Sequence, residues 1–113
     1  MDLKRITYSD DWIFSIDVEK TTGFYSKQKE PVDKSFLKRY PDSLKDFLVL
    51  CGIDYEKPCD GFTEHDSEYY LFGEAVTTTG YELDFYGENL FASIFVEFEQ
   101  PLHGLSFSMV VFY

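Results

Sequence analysis

The second half of this 113-residue chain contains almost no basic residues. Residues 1–53 hold nine Lys/Arg and nine Asp/Glu, whereas residues 54–113 hold twelve acidic residues and one base, Lys57. The whole net charge of −11 at neutral pH therefore arises after residue 53. Because binding to phosphates or to anionic lipids requires clustered Lys and Arg, this pattern excludes direct nucleic-acid and membrane-surface binding.

Cysteines and long apolar segments are also scarce. Cys51 and Cys59 are the only cysteines, too few for a disulfide framework, and we expect both to be buried or half-buried thiols. No apolar run is long enough to cross a bilayer, and the first residues lack the apolar core of a signal peptide. We therefore expect a cytoplasmic protein that does not contact a membrane.

Recognisable catalytic and metal-binding motifs are missing. The two cysteines lie in no thiol-enzyme signature, and the glycines are scattered rather than grouped into a phosphate-binding loop. The consecutive residues Glu64, His65 and Asp66 do not converge on a metal as regularly spaced ligands on a helix do. Asp54, Asp60 and Asp66 lack the alternate spacing of a calcium loop. We expect no enzymatic activity, no metal and no cofactor.

Apolar and aromatic residues, in contrast, are plentiful. Hydrophobic residues make up 44% of the chain and aromatic residues 19%, including twelve Phe and nine Tyr. This content is incompatible with a disordered acidic tail, and the length is typical of one domain with a modest core. Flat rings pack well on a pleated surface, so the composition favours a sheet over a helical bundle.

The first thirty residues predict a β-hairpin. Apolar residues alternate with polar ones in 12–18, which is typical of a half-buried strand. A shorter strand is expected at 3–8, with a turn at 9–11 between the two strands. Thr21-Thr22-Gly23 is expected to end this hairpin region.

Between residues 31 and 51 the apolar residues recur at steps of three and four, which indicates an amphipathic helix or helix pair. Pro41 is expected to break or kink it. A restart at Pro41 or Asp42 is favourable because proline is tolerated in the first turn and Asp42 can cap free N–H groups. Gly52 is a plausible stop after the last turn.

The remaining residues predict an antiparallel meander. Residues 53–68 form an irregular acidic segment, and strands are expected at roughly 68–77, 81–86, 90–98 and 105–113. The predicted fold class is α+β: a single domain, 1–113, with an antiparallel sheet of about four to six strands. One helix or a kinked helix pair packs on one face of that sheet.

The middle hairpin allows a prediction of register. A two-residue type II′ loop at Gly87-Glu88 places the apolar residues of both strands on one face. The expected pairs are Phe85 with Leu90, Leu83 with Ala92 and Tyr81 with Ile94.

The opposite face of this sheet is not simply charged. It carries Phe91, Phe95, Val110 and Phe112, and it is flanked by the acidic residues Glu82, Asp84 and Glu97. Two interpretations are open. Either the N-terminal hairpin or a loop covers these rings, or they form an exposed aromatic patch with an acidic rim, which is typical of a protein interface.

Acidic residues and aromatic residues are also interleaved between residues 54 and 74, where Lys57 is the only base. Carboxylates beside tyrosine rings suit Arg and Lys side chains through paired hydrogen bonds and stacking. A solvated acidic loop is the alternative. The candidate partner-binding residues from both regions are Asp54, Glu56, Asp60, Glu64, Asp66, Glu68, Tyr69, Tyr70, Glu82, Asp84, Phe91 and Phe95.

The chain resembles the small acidic immunity proteins of bacterial toxin–immunity systems, such as those of contact-dependent growth inhibition. The likeness is one of type: a short α+β domain with strong negative charge and acidic, aromatic surfaces. In addition, residues 40–48 (YPDSLKDFL) resemble the Leu-Pro helix segment of the SUKH superfamily, many of whose members are immunity proteins. That superfamily usually continues with Asn-Gly-Gly, whereas Cys51-Gly52-Ile53 follows here.

The resemblance implies an immunity protein that binds a cognate toxin, typically a nuclease, and occludes its basic surface without performing chemistry. The expected partner is thus a basic protein, and the expected state is a monomer or weak dimer. Two alternatives remain: a nucleic-acid mimic that inhibits a defence nuclease or DNA-binding protein, and a small ligand-binding domain. A concave pocket lined by His65 or His103 would favour the ligand-binding domain.

Overall fold

The computed structural model describes residues 3–9, 12–78, 82–97 and 107–113, and it confirms the α+β class. A 3-10 helix spans Ser35–Arg39. The other elements in chain order are β1 (Lys4–Ser9), β2 (Trp12–Ile16), α1 (Val18–Ser26), α2 (Asp42–Leu50), β3 (Cys59–Phe62), β4 (Asp66–Leu71), β5 (Gly73–Thr78), β6 (Leu83–Gly87), β7 (Leu90–Glu97) and β8 (Phe107–Phe112).

The strands form two antiparallel sheets rather than one. The larger sheet has five strands in the order β3-β4-β8-β7-β6, and the smaller has three in the order β1-β2-β5. The five-stranded sheet lies within the predicted size. The N-terminal hairpin of β1 and β2 is confirmed, although it pairs with β5 in a sheet of its own.

A core of aromatic and aliphatic side chains joins the two sheets and α2. Phe14 of β2 is fully buried, and its ring stacks on Phe107 of β8 at a centroid distance of 6.0 Å. Phe14 also meets Phe47 of α2 at 6.0 Å, and Phe47 in turn lies 5.5 Å from Phe85 of β6. These ring contacts tie a helix and both sheets into one hydrophobic cluster.

The helical segment follows the sequence prediction closely. The 3-10 helix ends at Arg39, and α2 begins at Asp42, directly after Pro41. The expected cap by Asp42 is wrong, because Pro41 occupies the cap position and no described side chain caps this end of α2. The helix ends in a Schellman motif, in which the N–H groups of Gly52 and Ile53 donate to the carbonyls of Val49 and Leu48 at 2.9 and 3.0 Å. Gly52 adopts a φ of 84°, which confirms it as the stop residue.

Helix α1 was not predicted, since residues 12–18 were assigned to a strand and 21–23 to the end of the hairpin. The strand ends at Ile16, and Asp17 caps the helix by accepting a hydrogen bond from the Lys20 N–H at 2.9 Å. Glycine and two threonines inside α1 give it low intrinsic propensity. Tertiary contacts compensate, because Thr21 and Tyr25 are buried against the five-stranded sheet and its connection to β5.

Two further expectations in the second half were wrong. The predicted strand 68–77 is two strands in different sheets, β4 and β5, separated at Phe72. The segment 53–68 is not irregular throughout, because it contains β3 and the start of β4.

The register of the β6–β7 hairpin differs by two residues from the prediction. The pairs are Leu83 with Ile94, Phe85 with Ala92 and Gly87 with Leu90. The turn residues are therefore Glu88 and Asn89, and Asn89 has a φ of 59°. A shift of two keeps each side chain on its expected face, so Leu83, Phe85, Ala92 and Ile94 are all buried. The predictions for residues 10–11, 81, 98 and 105–106 and for His103 lie outside the described residues.

Candidate protein-interaction surface

Four large rings are exposed on the face of the five-stranded sheet that points away from the core. Tyr86, Phe91, Phe95 and Phe112 have 69%, 50%, 39% and 39% of their surface accessible. They alternate along their strands with buried residues of the core face. We call these four residues the aromatic face.

Strand register brings the rings together in two pairs. Tyr86 lies opposite Phe91 in the β6–β7 ladder, and their ring centroids are 5.2 Å apart. Phe95 and Phe112 are on neighbouring strands, with centroids 5.2 Å apart in an edge-to-face arrangement. Edge-to-face and tilted ring pairs are favourable arrangements, so the pairs hold each other in place at the surface.

Carboxylates lie on both sides of the aromatic face. One cross-strand row runs Asp66, Phe112, Ser93, Asp84 over β4, β8, β7 and β6. With a strand spacing of about 4.8 Å, the two acids of this row are separated by about 14 Å. Exposed Glu82 and Glu97 add negative charge. The described strands β4, β6, β7 and β8 contain neither Lys nor Arg.

The N-terminal hairpin does not cover these rings, which corrects that part of the covering interpretation. The hairpin pairs with β5 instead, and its apolar residues Trp12, Phe14 and Ile16 are buried in the core. The other interpretation, an exposed aromatic patch with an acidic rim, agrees with the exposure of Phe91, Phe95 and Phe112.

The acidic segment after residue 53 is less purely negative than its sequence suggests. Lys57 pairs with Asp54 at 3.6 Å, and Lys34 approaches Glu56 at 3.9 Å. Lys45 lies 5.8 Å from the ring centre of Tyr55. Lys57 and, from the first half, Lys34 therefore balance part of the charge of this segment, so Asp54 and Glu56 are weaker candidates than the acids of the sheet.

The remaining acids of the segment have separate surroundings. Glu64 is exposed, and its backbone carbonyl accepts a hydrogen bond from Arg39 at 3.2 Å. The Asp66 carboxylate accepts the Thr63 hydroxyl at 2.8 Å, which fixes the turn before β4. Glu68 lies opposite Val110 on the same side of the sheet as the aromatic face. The side chain of Asp60 lies outside the described residues.

Tyr69 and Tyr70 are core residues, which corrects their assignment to the binding surface. Tyr69 is fully buried, and its hydroxyl lies 2.7 Å from that of Tyr40 and donates to the Tyr55 carbonyl at 2.6 Å. Tyr70 lies under α1, where the Tyr25 hydroxyl accepts its N–H at 2.8 Å and donates to its carbonyl at 2.9 Å. Neither ring can reach a partner in this arrangement.

Sequence reasoning missed Tyr86 as a surface ring. The signal was present, because Tyr86 alternates with Leu83 and Phe85 and shares the side of Asp84. Sequence parity alone therefore predicts that it points outward. Its exposure, the largest of the four rings, makes it the most accessible aromatic anchor on this face.

Other chemically capable groups do not assemble into a site in the described part of the chain. Cys51 and Cys59 are buried, and burial raises the pKa of the Cys51 thiol to about 12. Across residues 3–9, 12–78, 82–97 and 107–113, no three His, Cys, Asp or Glu residues lie close enough to hold a metal ion. His65 is an exposed loop residue. None of the helices described is long and apolar enough to cross a membrane.

Comparison with protein-family models, with curated proteins and with solved structures found no match.

Proposed function

We propose that this protein is an immunity protein, which binds a basic toxin domain through the aromatic face and blocks that domain's functional surface. The observation that carries the proposal is the exposed set of rings Tyr86, Phe91, Phe95 and Phe112. They lie among described strands, β4, β6, β7 and β8, whose charged residues are all acidic. Exposed aromatic clusters on small proteins commonly mark protein interfaces.

The two parts of this surface have different roles in binding. The rings supply apolar area that is removed from water on contact, and they provide most of the affinity. The carboxylates attract a basic partner from a distance and raise the association rate, by about 10–10³-fold where charges are complementary. Fast capture is useful for a protein that must intercept a toxin before it acts.

Occupancy alone is sufficient for inhibition. A toxin that cleaves nucleic acid needs a basic cleft for the phosphates, and a carboxylate-rimmed protein face is complementary to such a cleft. The bound protein then excludes the nucleic acid without chemistry of its own. A nucleic-acid mimic would need carboxylates in a phosphate-like line, whereas here acids such as Asp66 and Asp84 stand on opposite sides of the rings.

The first test is inhibition of the toxin domain encoded next to this protein's gene. We expect an equimolar amount of the purified protein to suppress the toxin's activity and to protect cells that produce it. Phe91→Ser combined with Phe95→Ser should abolish protection with little loss of folding stability, because both rings are exposed. Failure of the wild-type protein to bind or inhibit any neighbouring toxin would refute the immunity role.

The second test distinguishes the effect of the acidic rim on association from the effect of net charge. Glu82→Lys with Glu97→Lys reverses two exposed charges beside the aromatic face, and Glu19→Lys with Glu74→Lys is the matched control at exposed positions elsewhere. Both pairs change net charge equally. We expect the first pair to slow association with the toxin by about 10–100-fold at low salt and the control by less than about threefold. Equal slowing of the two pairs would contradict a local binding surface.

A further inference from the structure

A groove adjoins the aromatic face at the edge of the five-stranded sheet. It lies between β1, α2 and β6 and has a volume of about 480 Å³. Its described lining includes Tyr8, Ser43, Asp46, Asp84 and Tyr86, and the only charged side chains in that lining are the two acids. The groove is therefore suited to a cationic group rather than to an anion.

Asp84 has an unusual environment within this groove. Its Oδ1 atom is shielded from solvent, and among the described residues it is the only such side-chain oxygen or nitrogen without a hydrogen-bond partner. Buried polar atoms in native proteins nearly always have a partner, and one that does not calls for a reason. Asp84 as a whole is only half-buried, so its carboxylate group remains within reach of an incoming donor although Oδ1 itself is shielded.

Neighbouring hydroxyls do not donate to Oδ1 of Asp84 because they donate to backbone carbonyls instead. The Tyr8 hydroxyl donates to the carbonyl oxygen of Asp84, and the Ser43 hydroxyl donates to that of Tyr86 at 3.4 Å. Burial, and then the charge of Asp84, raise the pKa of Tyr8, so this hydroxyl keeps its proton at neutral pH. Neither hydroxyl therefore donates to Oδ1 of Asp84, which lies beside two satisfied carbonyls.

A ring platform stands next to the carboxylate. Tyr86 is two residues from Asp84 on the same side of β6, and it also lines the groove. Its ring is paired with Phe91, and both rings are exposed. A carboxylate beside exposed rings matches the planar guanidinium of arginine, which donates to carboxylates in pairs and stacks on aromatic faces.

We propose that Asp84, with the rings of Tyr86 and Phe91, is the anchor for an arginine side chain of the basic partner. This inference depends on the proposed function, and it specifies the chemical group of the partner that this surface binds. Lysine would fill the site less well, because its ammonium is a point charge that neither forks around a carboxylate nor stacks as a plane.

Poly-arginine and poly-lysine peptides of equal length are suitable probes, with affinity measured by calorimetry at low salt. Asp84→Asn is the test variant. Glu74→Gln is the matched control, because Glu74 is an exposed acid of β5 that neither lines the groove nor belongs to the acidic rim. We expect the wild type to prefer poly-arginine by about tenfold. Asp84→Asn should weaken poly-arginine binding about tenfold and remove the preference for arginine, and Glu74→Gln should change poly-arginine binding by less than about threefold.

Thermal unfolding distinguishes a binding role from a structural one. We expect Asp84→Asn to unfold at the same temperature as the wild type or a higher one, because the substitution removes charge from an oxygen that lacks a donor. A lower unfolding temperature would mean that Asp84 supports the fold, and it would overturn the proposal. Tyr86→Ala offers a second variant, which keeps the charge and should lose the preference for arginine.

The outcomes separate this inference from the proposed function. Equal losses for Asp84→Asn and Glu74→Gln, with wild-type binding intact, would overturn the anchor but not the proposed basic partner. A wild type that binds neither peptide would overturn the anchor and the proposed function together.

Discussion

Gly73 lies where the chain leaves the five-stranded sheet and enters the three-stranded one. Its φ is 147°, a conformation that side chains with a Cβ rarely adopt. A Cβ at this position would lie 2.3 Å from the carbonyl oxygen of Ser15 and 2.9 Å from Cα of Ile16, both backbone atoms of β2. The close pairing of β2 with the start of β5 therefore requires a residue without a side chain.

This geometry predicts a large effect of a single methyl group. Gly73→Ala should lower the free energy of unfolding by about 3 kcal/mol, because it adds backbone strain to a clash with β2. Gly23→Ala is the matched control: Gly23 lies inside α1 with open space around it. It should raise stability by about 0.5–1 kcal/mol through helix propensity. Urea denaturation of both variants measures the difference, and similar values for the two would contradict the close approach at Gly73.

At the scale of elements, the β6–β7 hairpin illustrates what alternation can and cannot determine. Polarity along the strands assigns each side chain to a face, and the faces of Leu83, Phe85, Ala92 and Ile94 were predicted correctly. Shifting the pairing by two residues leaves those faces unchanged, so polarity cannot choose between the two registers. The turn conformation makes the choice, and it places Asn89 rather than glycine at positive φ.

The turn therefore predicts an asymmetry between substitutions at Asn89. Asn89→Gly should leave the free energy of unfolding unchanged or raise it by a few tenths of a kcal/mol, because glycine adopts positive φ freely. Asn89→Val should lower it by about 1–2 kcal/mol, because a β-branched residue is strained in this conformation. Thermal unfolding by circular dichroism gives the comparison. Equal stability of the two variants would show that residue 89 does not define the turn.

Helix α1 is an element that local sequence patterns do not predict. Its central glycine and threonines favour extended or turn conformations, and its local helix signals are the cap at Asp17 and the acidic Glu19 in the first turn. The fold overrides these preferences with long-range contacts. The Thr21 hydroxyl oxygen accepts the Phe72 N–H at 3.2 Å, and the Tyr25 hydroxyl bonds to the backbone of Tyr70. A helix held by such partners cannot be recognised before the partners are placed.

At the scale of the whole molecule, buried tyrosine hydroxyls make stability depend on alkaline pH. Burial raises the pKa of Tyr25, Tyr40 and Tyr69 above the ordinary value of 10.0. In the unfolded chain these groups lose their protons near pH 10, whereas the folded protein keeps them. The unfolded state is therefore favoured as pH rises above about 10, and the contribution is fully present below that value.

We expect the free energy of unfolding to fall by about 1.4 kcal/mol per pH unit for each of these three tyrosines above pH 10, or about 4 kcal/mol per unit together. Urea midpoints between about pH 8 and about pH 11 measure the slope, and tyrosine absorbance reports ionisation. Tyr40→Phe should reduce the slope by about a third, whatever its effect at neutral pH. A midpoint that stays constant across this range would contradict burial of the three hydroxyls.

Much of the fold could be predicted from local sequence patterns. The periodicity of polar and apolar residues predicts the α+β class and the N-terminal hairpin. The backbone limits of proline and glycine predict the break at Pro41 and the end of the helix at Gly52. The candidate surface was found in part for the same reason. Parity places Phe91, Phe95 and Phe112 opposite the core, and the lack of bases after Lys57 makes the charge of that face negative.

The tertiary structure decided which of these side chains are accessible. Tyr69 and Tyr70 occupy an acidic stretch yet are buried, because Tyr40 and Tyr55 approach one ring and α1 covers the other. Asp54 and Glu56 lie near lysines, one of them distant in sequence. Burial and charge balance depend on contacts between remote segments, which polarity along the chain does not encode. The sequence by itself determined that the protein carries acidic and aromatic faces, and the packing of two sheets determined that the aromatic face remains open.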